Sequence, residues 1–183
     1  DDDGFGTTDI AIGASVTVTR SGITVDLSSS ASQVEGNVNC PRSVAAAAVF
    51  YAFRCLLPDH TPSCAGTFRV IKLVSRRGSV LDAVRPAAVA AGNVETSMRI
   101  VDVVLGALSK ALPERMPAAS QGTMNNVAMG NHKVDVPWDY YETIGGGGGA
   151  HCRGAGMSAV QSHMTNTLNT PVESLEMHYP LTV

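Results

Sequence analysis

Polar side chains of the kinds that bind substrates and transfer protons are concentrated between Pro117 and Pro180. The stretch contains the segments PAASQGTMNNVAMG, WDYYETIGGGGGA and SHMTNTLNTPVESLEMHYP. Buried Asn, Gln and His side chains need hydrogen-bond partners. They therefore either satisfy one another, in a loop-rich region held by side-chain to backbone bonds, or face a ligand. The residues concerned are Ser120, Gln121, Thr123, Asn125, Asn126, Glu142, Thr143, His163, Thr165, Asn166, Asn169 and Thr170.

Two of these residues have side chains suited to general acid–base chemistry. His163 lies in the run SHMTNT among hydroxyl and amide groups, and Glu142 precedes the glycine-rich run. Imidazole and carboxylate groups are the commonest proton carriers in enzyme sites. A hydrogen-bonded structural His163 is the alternative, and Glu173 is a further carboxylate whose distance from Glu142 the sequence does not give.

Several other chemistries are disfavoured by spacing. The five glycines Gly145–Gly149 are not followed by Lys, as a phosphate-binding loop requires. They are expected to pack closely against backbone or to turn the chain, with a ligand-facing role as the alternative. The segment GMSAV lacks the second glycine of a nucleophile elbow. The spacing of His151, Cys152 and His163 fits no compact metal motif, so no metal site is predicted within the chain.

Composition excludes some partners and favours others. The net charge of −3 and the pI near 5.9 provide no basic field for nucleic acid or an anionic membrane. No apolar run approaches the roughly 20 residues that span a bilayer, and no signal-peptide pattern is present. Charged residues make up only 16% of the chain, which favours a subunit or a piece of a larger protein. A cytoplasmic location is therefore expected, with no nucleic-acid and no membrane partner.

The elements that must position the polar stretch lie mostly before it. Apolar and small residues recur at every second position in 10–18 and 23–27, on either side of the turn Arg20-Ser21-Gly22. This pattern predicts a β-hairpin. A small-residue helix is predicted to begin at Pro41 and Ser43 and to end before Pro58. Its predicted buried face consists of Val44, Ala47, Ala48, Tyr51 and Cys55.

Further along, 68–74 can form a strand, and Thr96 is predicted to cap a second helix that runs to about Leu112. Gly106 lies in the middle of that helix, where it costs about 1 kcal/mol against Ala and suggests close backbone contact. A short helix from Val172 to His178 is predicted after Pro171. The predicted buried side of the second helix consists of Ile100, Val103, Val104, Ala107, Leu108 and Ala111.

Long motifs in one order give the chain a specific resemblance. The segments are DDDGFGT, VNCPRSV, FRCLLP, RPAAVAAGNVETSMRIVDVVLGAL, LPERMPAASQGTMNN, YYETIGGGGGA and HMTNTLNTPVESLEMHYPL. Together they cover essentially the whole chain and resemble the hydantoinase B/oxoprolinase family. That family comprises the B-type subunits or domains of ATP-dependent N-methylhydantoinases, 5-oxoprolinases, and acetone and acetophenone carboxylases.

The resemblance implies ATP-dependent hydrolysis of a cyclic amide within a multisubunit complex. A hydantoinase A-type partner would bind ATP and Mg²⁺, and the divalent metal of the family would be held by other B-type segments, so both cofactors are expected outside this chain. The matching motifs contain Glu142 and His163 as candidate catalytic residues. The same motifs imply substrate-positioning roles for Ser120, Gln121, Thr123, Asn125, Thr165 and Asn166.

The sequence as a whole predicts an α+β fold. We expect a mixed sheet with an N-terminal hairpin, two main helices and a Gly/Asn/Thr-rich C-terminal segment. Residues 1–183 would form one segment of a larger hydantoinase B-type protein, with 1–115 as scaffold and 116–183 as the polar region. The leading function is part of a cyclic-amide hydrolase that is inactive as this chain alone. The alternatives are a non-catalytic assembly subunit and part of a ketone carboxylase.

Overall fold

A computed structural model describes residues 2–183, so Asp1 of the DDDGFGT motif lies outside the described residues. These residues form an α+β fold, as predicted, with three α-helices and two small sheets. Strand β1 (Ser15–Thr19) pairs antiparallel with β2 (Gly22–Asp26). The predicted hairpin is therefore confirmed, although the first strand begins at Ser15 and not at Ile10.

The first sheet is mixed because its third strand runs parallel to the second. After β2 the chain forms helix α1 (Arg42–Arg54) and then strand β3 (Ile71–Val74), which pairs with β2 from Ile23↔Ile71 to Asp26↔Val74. A parallel pair requires a crossover connection, and α1 lies within it. The predicted strand 68–74 is thus confirmed in its second half.

Helix α1 presents a different face to the core from the predicted one. Its buried residues are Ala45, Ala48, Val49, Ala52 and Phe53. Because so many α1 positions are small and apolar, its apolar pattern does not define one face. In particular, the predicted core residues Ala47 and Cys55 are exposed. Ser43 makes no capping hydrogen bond, and Pro41 occupies the N-cap position.

Helix α2 (Ser97–Ser109) packs against α1 and begins with a π-helical turn, Gly92–Thr96. Thr96 does not cap it as predicted, because its backbone is already helical and its hydroxyl donates to the carbonyl of Val38. The helix ends at Ser109 and not near Leu112. Its buried residues are Ser97, Met98, Ile100, Val101, Val104, Leu105 and Leu108.

The predicted close contact at Gly106 is wrong. Gly106 is exposed, and a Cβ at this position would meet nothing within 4 Å. The half-buried Val103 and Ala107 and the exposed Ala111 are likewise not core residues. The side of α2 and of its π-helical turn that carries Glu95, Arg99 and Asp102 instead faces the polar stretch.

A second hairpin lies inside the polar stretch. Strand β4 (Asn125–Asn131) pairs antiparallel with β5 (Trp138–Ile144) over seven residue pairs. The loop-rich interpretation of this region did not include it, because NNVAMGN shows no regular apolar alternation. Helix α3 (Val172–His178) follows Pro171 at its predicted bounds, and none of its residues is buried.

The hydrophobic core lies almost entirely in the first two thirds of the chain. Among the described residues, Tyr140 alone is a buried hydrophobic residue beyond Met116. The rest of the core lies between Ile10 and Met116 and joins the first sheet to α1 and α2. The polar stretch is therefore held to this core mainly by hydrogen bonds.

Candidate functional site

One face of α2 and its π-helical turn forms the platform of the site. Glu95, Arg99 and Asp102 lie at spacings of four and three residues, which places them above one another on a helical surface. All three are partly buried. We call these three residues the polar stripe of α2.

The loop Ser120–Thr123 lies along this stripe in the opposite direction. Ser120 contacts Asp102, and Thr123 donates its hydroxyl hydrogen to Glu95. Between them Gly122, at φ +79°, lies so close to Arg99 that a Cβ would be 2.4 Å from a guanidinium nitrogen. The loop therefore needs glycine at this position both for its backbone conformation and for space.

The carboxylate of Asp102 makes three polar contacts at the site. Ser120 donates its backbone N–H to Oδ1 at 3.1 Å and its hydroxyl hydrogen to Oδ2 at 2.9 Å. The Ser120 hydroxyl oxygen in turn accepts the N–H of Gly122 at 3.0 Å. His163 Nε2 lies 2.6 Å from Oδ1 of the same carboxylate. Burial alone would raise the pKa of Asp102, but the hydrogen bonds from His163 and Ser120 hold the pKa below its ordinary value.

His163 is fixed from three directions. Its side chain is only 9% exposed and that of Asp102 is 11% exposed. The imidazole meets the Tyr51 ring edge-on, with ring centroids 6.1 Å apart. Its backbone has φ +54°, an uncommon conformation for a residue other than glycine. The His163–Asp102 contact therefore joins the polar stretch to the core helices.

Glu142 lies in a second cluster, at the start of the glycine-rich run. Thr170 donates its backbone N–H to Oε1 at 2.5 Å, and the Tyr140 hydroxyl donates to Oε2. These bonds hold the pKa of Glu142 below its ordinary value. Tyr140 also packs edge-on against Tyr179, with ring centroids 5.0 Å apart. The arrangement ties the segment before α3 to β5.

The glycine run is packed against backbone, as the close-packing interpretation predicts. A Cβ on Gly145 would lie 2.7 Å from the carbonyl carbon of Val160, and one on Gly149 would lie 2.0 Å from the carbonyl oxygen of Ala118. There are two exceptions: a Cβ on Gly148 would meet nothing within 4 Å, and a Cβ on Gly146 would meet the side chain of Gln121 and not backbone. The glycines thus let three segments of the backbone approach one another more closely than side chains would allow.

Amide side chains close the other side of this run. Asn169 accepts the N–H of Gly145 at 2.8 Å and donates to the carbonyl of Ala159 at 2.7 Å. Gln161 donates to the carbonyl of Thr143 at 2.6 Å. Beside them lies a surface pocket of about 290 Å³ lined by residues 159–161 and 165–169. Thr165 and Asn166, two predicted substrate-positioning residues, belong to its lining.

The remaining predicted residues lie on the opposite side of the glycine run. Gln121 donates to Asn125 at 3.0 Å, and Asn125 donates to the carbonyl of Ile144 at 3.3 Å. The structure thus divides the eight candidates into three groups. Ser120, Thr123 and His163 contact the α2 stripe or its π-helical turn. Gln121 and Asn125 lie at the β4–β5 end with Glu142, and Thr165 and Asn166 line the pocket.

Asp102 was missed as a site residue by sequence reasoning. It lies in a helix that the apolar pattern marked as scaffold, 61 residues from His163. The available signal was the stripe of Glu95, Arg99 and Asp102 at helical spacing, a charged face on an otherwise apolar helix.

Among residues 2–183, no group of three or more His, Cys, Asp or Glu side chains could hold a metal ion. His151 and Cys152 are exposed, and His163 is committed to Asp102. The described residues therefore do not fit a divalent metal site. Within the same range, no helix is long and apolar enough to cross a bilayer.

Comparison with known proteins agrees with the sequence resemblance. The family model for hydantoinase B/oxoprolinase matches residues 1–183. The chain belongs to the hydantoinase B/oxoprolinase family. It is 42% identical to 5-oxoprolinase 1 of Arabidopsis thaliana over 156 residues, a match that covers 85% of this chain and 12% of the relative. It is 30% identical over 182 residues to a putative B-type subunit of a D-/L-hydantoinase of a Pseudomonas species, covering 96% of this chain and 30% of the relative.

The fold is also that of a solved structure. The ATP-dependent caprolactamase of Pseudomonas jessenii superposes with a TM-score of 0.73 at 20% identity, over 94% of this chain and 34% of that one. The chain thus spans between 12% and 34% of the lengths of these hydantoinase B/oxoprolinase relatives and of the caprolactamase.

Proposed function

We propose that this chain is part of an ATP-dependent cyclic-amide hydrolase of the hydantoinase and 5-oxoprolinase type, to which it contributes substrate-positioning groups. The observation that carries the proposal is the buried His163–Asp102–Ser120 cluster, which lies within the family-matched residues and beside the pocket segment. Its relatives named 5-oxoprolinase and hydantoinase, and its structural neighbour named caprolactamase, all bear the names of enzymes that act on ring amides.

Hydrolysis of a ring amide needs a group that moves protons. In the ATP-dependent reaction the partner would first transfer the terminal phosphoryl group of ATP to the amide oxygen. Water would then add to the activated carbon, the C–N bond would break and the departing nitrogen would gain a proton. The acyl phosphate that remains would be hydrolysed by a second water to carboxylate and phosphate. An imidazole can take the proton from water and return one to nitrogen. We propose His163 for this role. Glu142 already accepts two hydrogen bonds and has a lowered pKa, so we propose that it holds the Thr170 segment in place; its catalytic role remains a prediction.

Hydroxyl and amide groups are suited to orienting a ring amide, because they can pair with both its N–H and its carbonyl. Thr165 and Asn166 would do this from the pocket, and Gln121 and Asn125 would support the opposite side of the glycine run. Ser120 and Thr123 would act through the α2 stripe. The scaffold role of 1–115 is supported by the location of nearly all buried hydrophobic residues before Pro117.

We propose that ATP, Mg²⁺ and the divalent metal are bound by other segments and by a hydantoinase A-type partner. The described residues offer no metal cluster of their own. The surface is consistent with such partners, since large apolar side chains are exposed over the polar stretch. Leu168 is 90% exposed, Met177 80% and Val136 79%.

The test uses the full-length protein that contains this segment, assembled with its A-type partner. Hydantoin, 5-oxoproline and caprolactam are each supplied with ATP, and ring-opened product and ADP are quantified. We expect ADP release coupled to opening of at least one ring. A parallel assay supplies acetone or acetophenone with bicarbonate and ATP. A carboxylated product there, with no ring opening in the amide assays, would instead show a carboxylase.

A second candidate is a non-catalytic assembly role, which the exposed apolar side chains favour. His163→Gln separates the two, because Gln can still donate a hydrogen bond to Asp102 but has no basic nitrogen. Loss of turnover with intact assembly supports the enzymatic role. Unchanged turnover per complex would support the assembly role.

A further inference from the structure

We infer that Asp102 is the positioning residue for His163: it holds the imidazole with its hydrogen on Nε2 and leaves Nδ1 as the nitrogen that accepts a proton. This inference rests on the proposed function for its catalytic consequence, but the tautomer itself is testable without any substrate. Asp102 lies outside the polar stretch, 61 residues before His163, so the inference rests on the contact geometry of the two side chains.

The first step concerns the ionisation of Asp102. Its carboxylate receives three contacts, from the Ser120 N–H, the Ser120 hydroxyl and His163 Nε2. The backbone N–H can only donate, so Oδ1 must be an acceptor. An ionised carboxylate accepts at both oxygens and satisfies all three partners. The lowered pKa of Asp102 agrees with this state.

The second step fixes the hydrogen of His163. Because the ionised carboxylate only accepts, the imidazole nitrogen 2.6 Å from Oδ1 must be the donor. In the neutral imidazole the other nitrogen, Nδ1, then carries the lone pair. Within residues 2–183, Nδ1 has no hydrogen-bond partner, so its lone pair is not used by this part of the chain.

The third step is rigidity. Only 9% of the His163 side chain and 11% of the Asp102 side chain are exposed, and the Tyr51 ring packs edge-on against the imidazole. The carboxylate is itself fixed by Ser120, which lies along the α2 stripe. A carboxylate behind an imidazole both orients the ring and stabilises the imidazolium that forms when Nδ1 takes a proton.

The chain contains a matched control. His132 Nε2 lies 2.8 Å from Asp139 Oδ1, but these two side chains are 67% and 75% exposed. This pair has the same chemistry without burial and without a second partner such as Ser120. Asp139→Asn therefore tests whether loss of any His–Asp contact has the effects expected at Asp102.

The first experiment measures the imidazole nitrogens of His163 by NMR in ¹⁵N-histidine-labelled protein, with the signal assigned through His163→Gln. The full-length protein is used, in the pH range where the imidazole is neutral. We expect the wild type to be the Nε2–H form. Asp102→Leu, which removes the acceptor, should give a mixture of both tautomers, while Asp139→Asn should leave the His163 signals unchanged. A wild-type Nδ1–H form would overturn the inference.

Asp102→Asn separates orientation from charge. The Ser120 N–H still requires an oxygen at the Oδ1 position, so the Asn amide nitrogen would face the Ser120 hydroxyl, which can turn to accept. His163 should therefore keep its Nε2–H form while the negative charge is lost. Under the proposed function, kcat should fall by about tenfold or more with KM changed less than about twofold.

The outcomes for the two proposals are distinct. If no cyclic amide is opened by the assembled wild-type enzyme, the proposed function fails, and the NMR result still decides the tautomer. If the wild type is active and Asp102→Leu folds and retains its kcat, the positioning role is overturned even with the expected tautomer in the wild type, whereas an unchanged kcat in Asp102→Asn overturns only the contribution of the negative charge. If Asp102→Leu fails to fold, the wild-type spectrum and the kinetics of Asp102→Asn are the deciding measurements.

Discussion

His163 and Asp102 form a buried pair at 2.6 Å between segments 61 residues apart. The pair connects the charged face of α2 to the HMTNT segment, and Ser120 completes it from the loop between them. Because both side chains are nearly excluded from water, the loss of one partner would leave the other in a costly environment. The attachment of the polar stretch to α2 should therefore depend strongly on this pair.

The stability contribution of Asp102 should disappear in acid. Its pKa in the folded chain lies below the ordinary value of 3.8. The contribution is therefore fully present above pH 3.8 and is lost as pH falls through the lower folded value. The free energy of unfolding in urea, measured between about pH 2 and pH 6, should differ between wild type and Asp102→Asn most at the upper end. A difference in unfolding free energy that stays constant over this range would contradict a lowered pKa of Asp102 in the folded chain.

Ser120→Ala should destabilise the chain by about 1–3 kcal/mol, because it removes a hydrogen bond to a buried carboxylate and the acceptor of the Gly122 N–H. Chemical denaturation measures the loss. The exposed Ser63 makes no side-chain hydrogen bond among the described residues, and Ser63→Ala should change the free energy of unfolding by less than about 0.5 kcal/mol. Equal effects of the two substitutions would show that the Asp102 contact has no energetic role.

Substitution by alanine at two neighbouring glycines of the run should change the stability of the chain by different amounts. Gly149→Ala places a Cβ 2.0 Å from the Ala118 carbonyl oxygen and should cost about 1–3 kcal/mol through overpacking. Gly148→Ala meets nothing within 4 Å and should be tolerated within about 0.5 kcal/mol. Thermal unfolding of both variants is the measurement. Equal tolerance would mean that the run is not packed against 117–119.

Gly106→Ala should stabilise the chain by about 0.5–1 kcal/mol. Gly106 is an exposed helical residue with open space around its Cβ position, and Ala has the higher helix propensity. Gly78 is the control, because it also has open space but its φ is +78°. Gly78→Ala should therefore destabilise by about 1 kcal/mol. Denaturant midpoints of the two variants should move in opposite directions.

Much of the fold could be predicted from local patterns. The β1–β2 hairpin followed from alternation around Arg20-Ser21-Gly22, and α3 followed from Pro171. The buried face of α1 did not follow, since a helix of consecutive alanines and other small residues has no single apolar side to identify. The β4–β5 hairpin was missed because its pairing depends on backbone hydrogen bonds, and its side chains do not alternate in polarity.

Of the candidate site, only the residues in the polar stretch could be predicted from the sequence. His163 and Ser120 stood out through the density of polar residues around them, whereas Asp102 lay in a helix whose apolar residues dominated the pattern. Contact between positions 102 and 163 depends on the path of the whole intervening chain, including the turn at His163 with φ +54°. No local spacing encodes such a contact.

The uneven distribution of the hydrophobic core has a consequence for hydrogen exchange. Residues after Met116 bury Tyr140 as their one large apolar side chain among the described residues, so little apolar area opposes their separation from α1 and α2. Such regions open as cooperative units at a lower free energy than the global unfolding of the core. Backbone amides of β4 and β5 should therefore exchange with solvent deuterium well before those of α2, and a stable unit should survive while the polar stretch is detached.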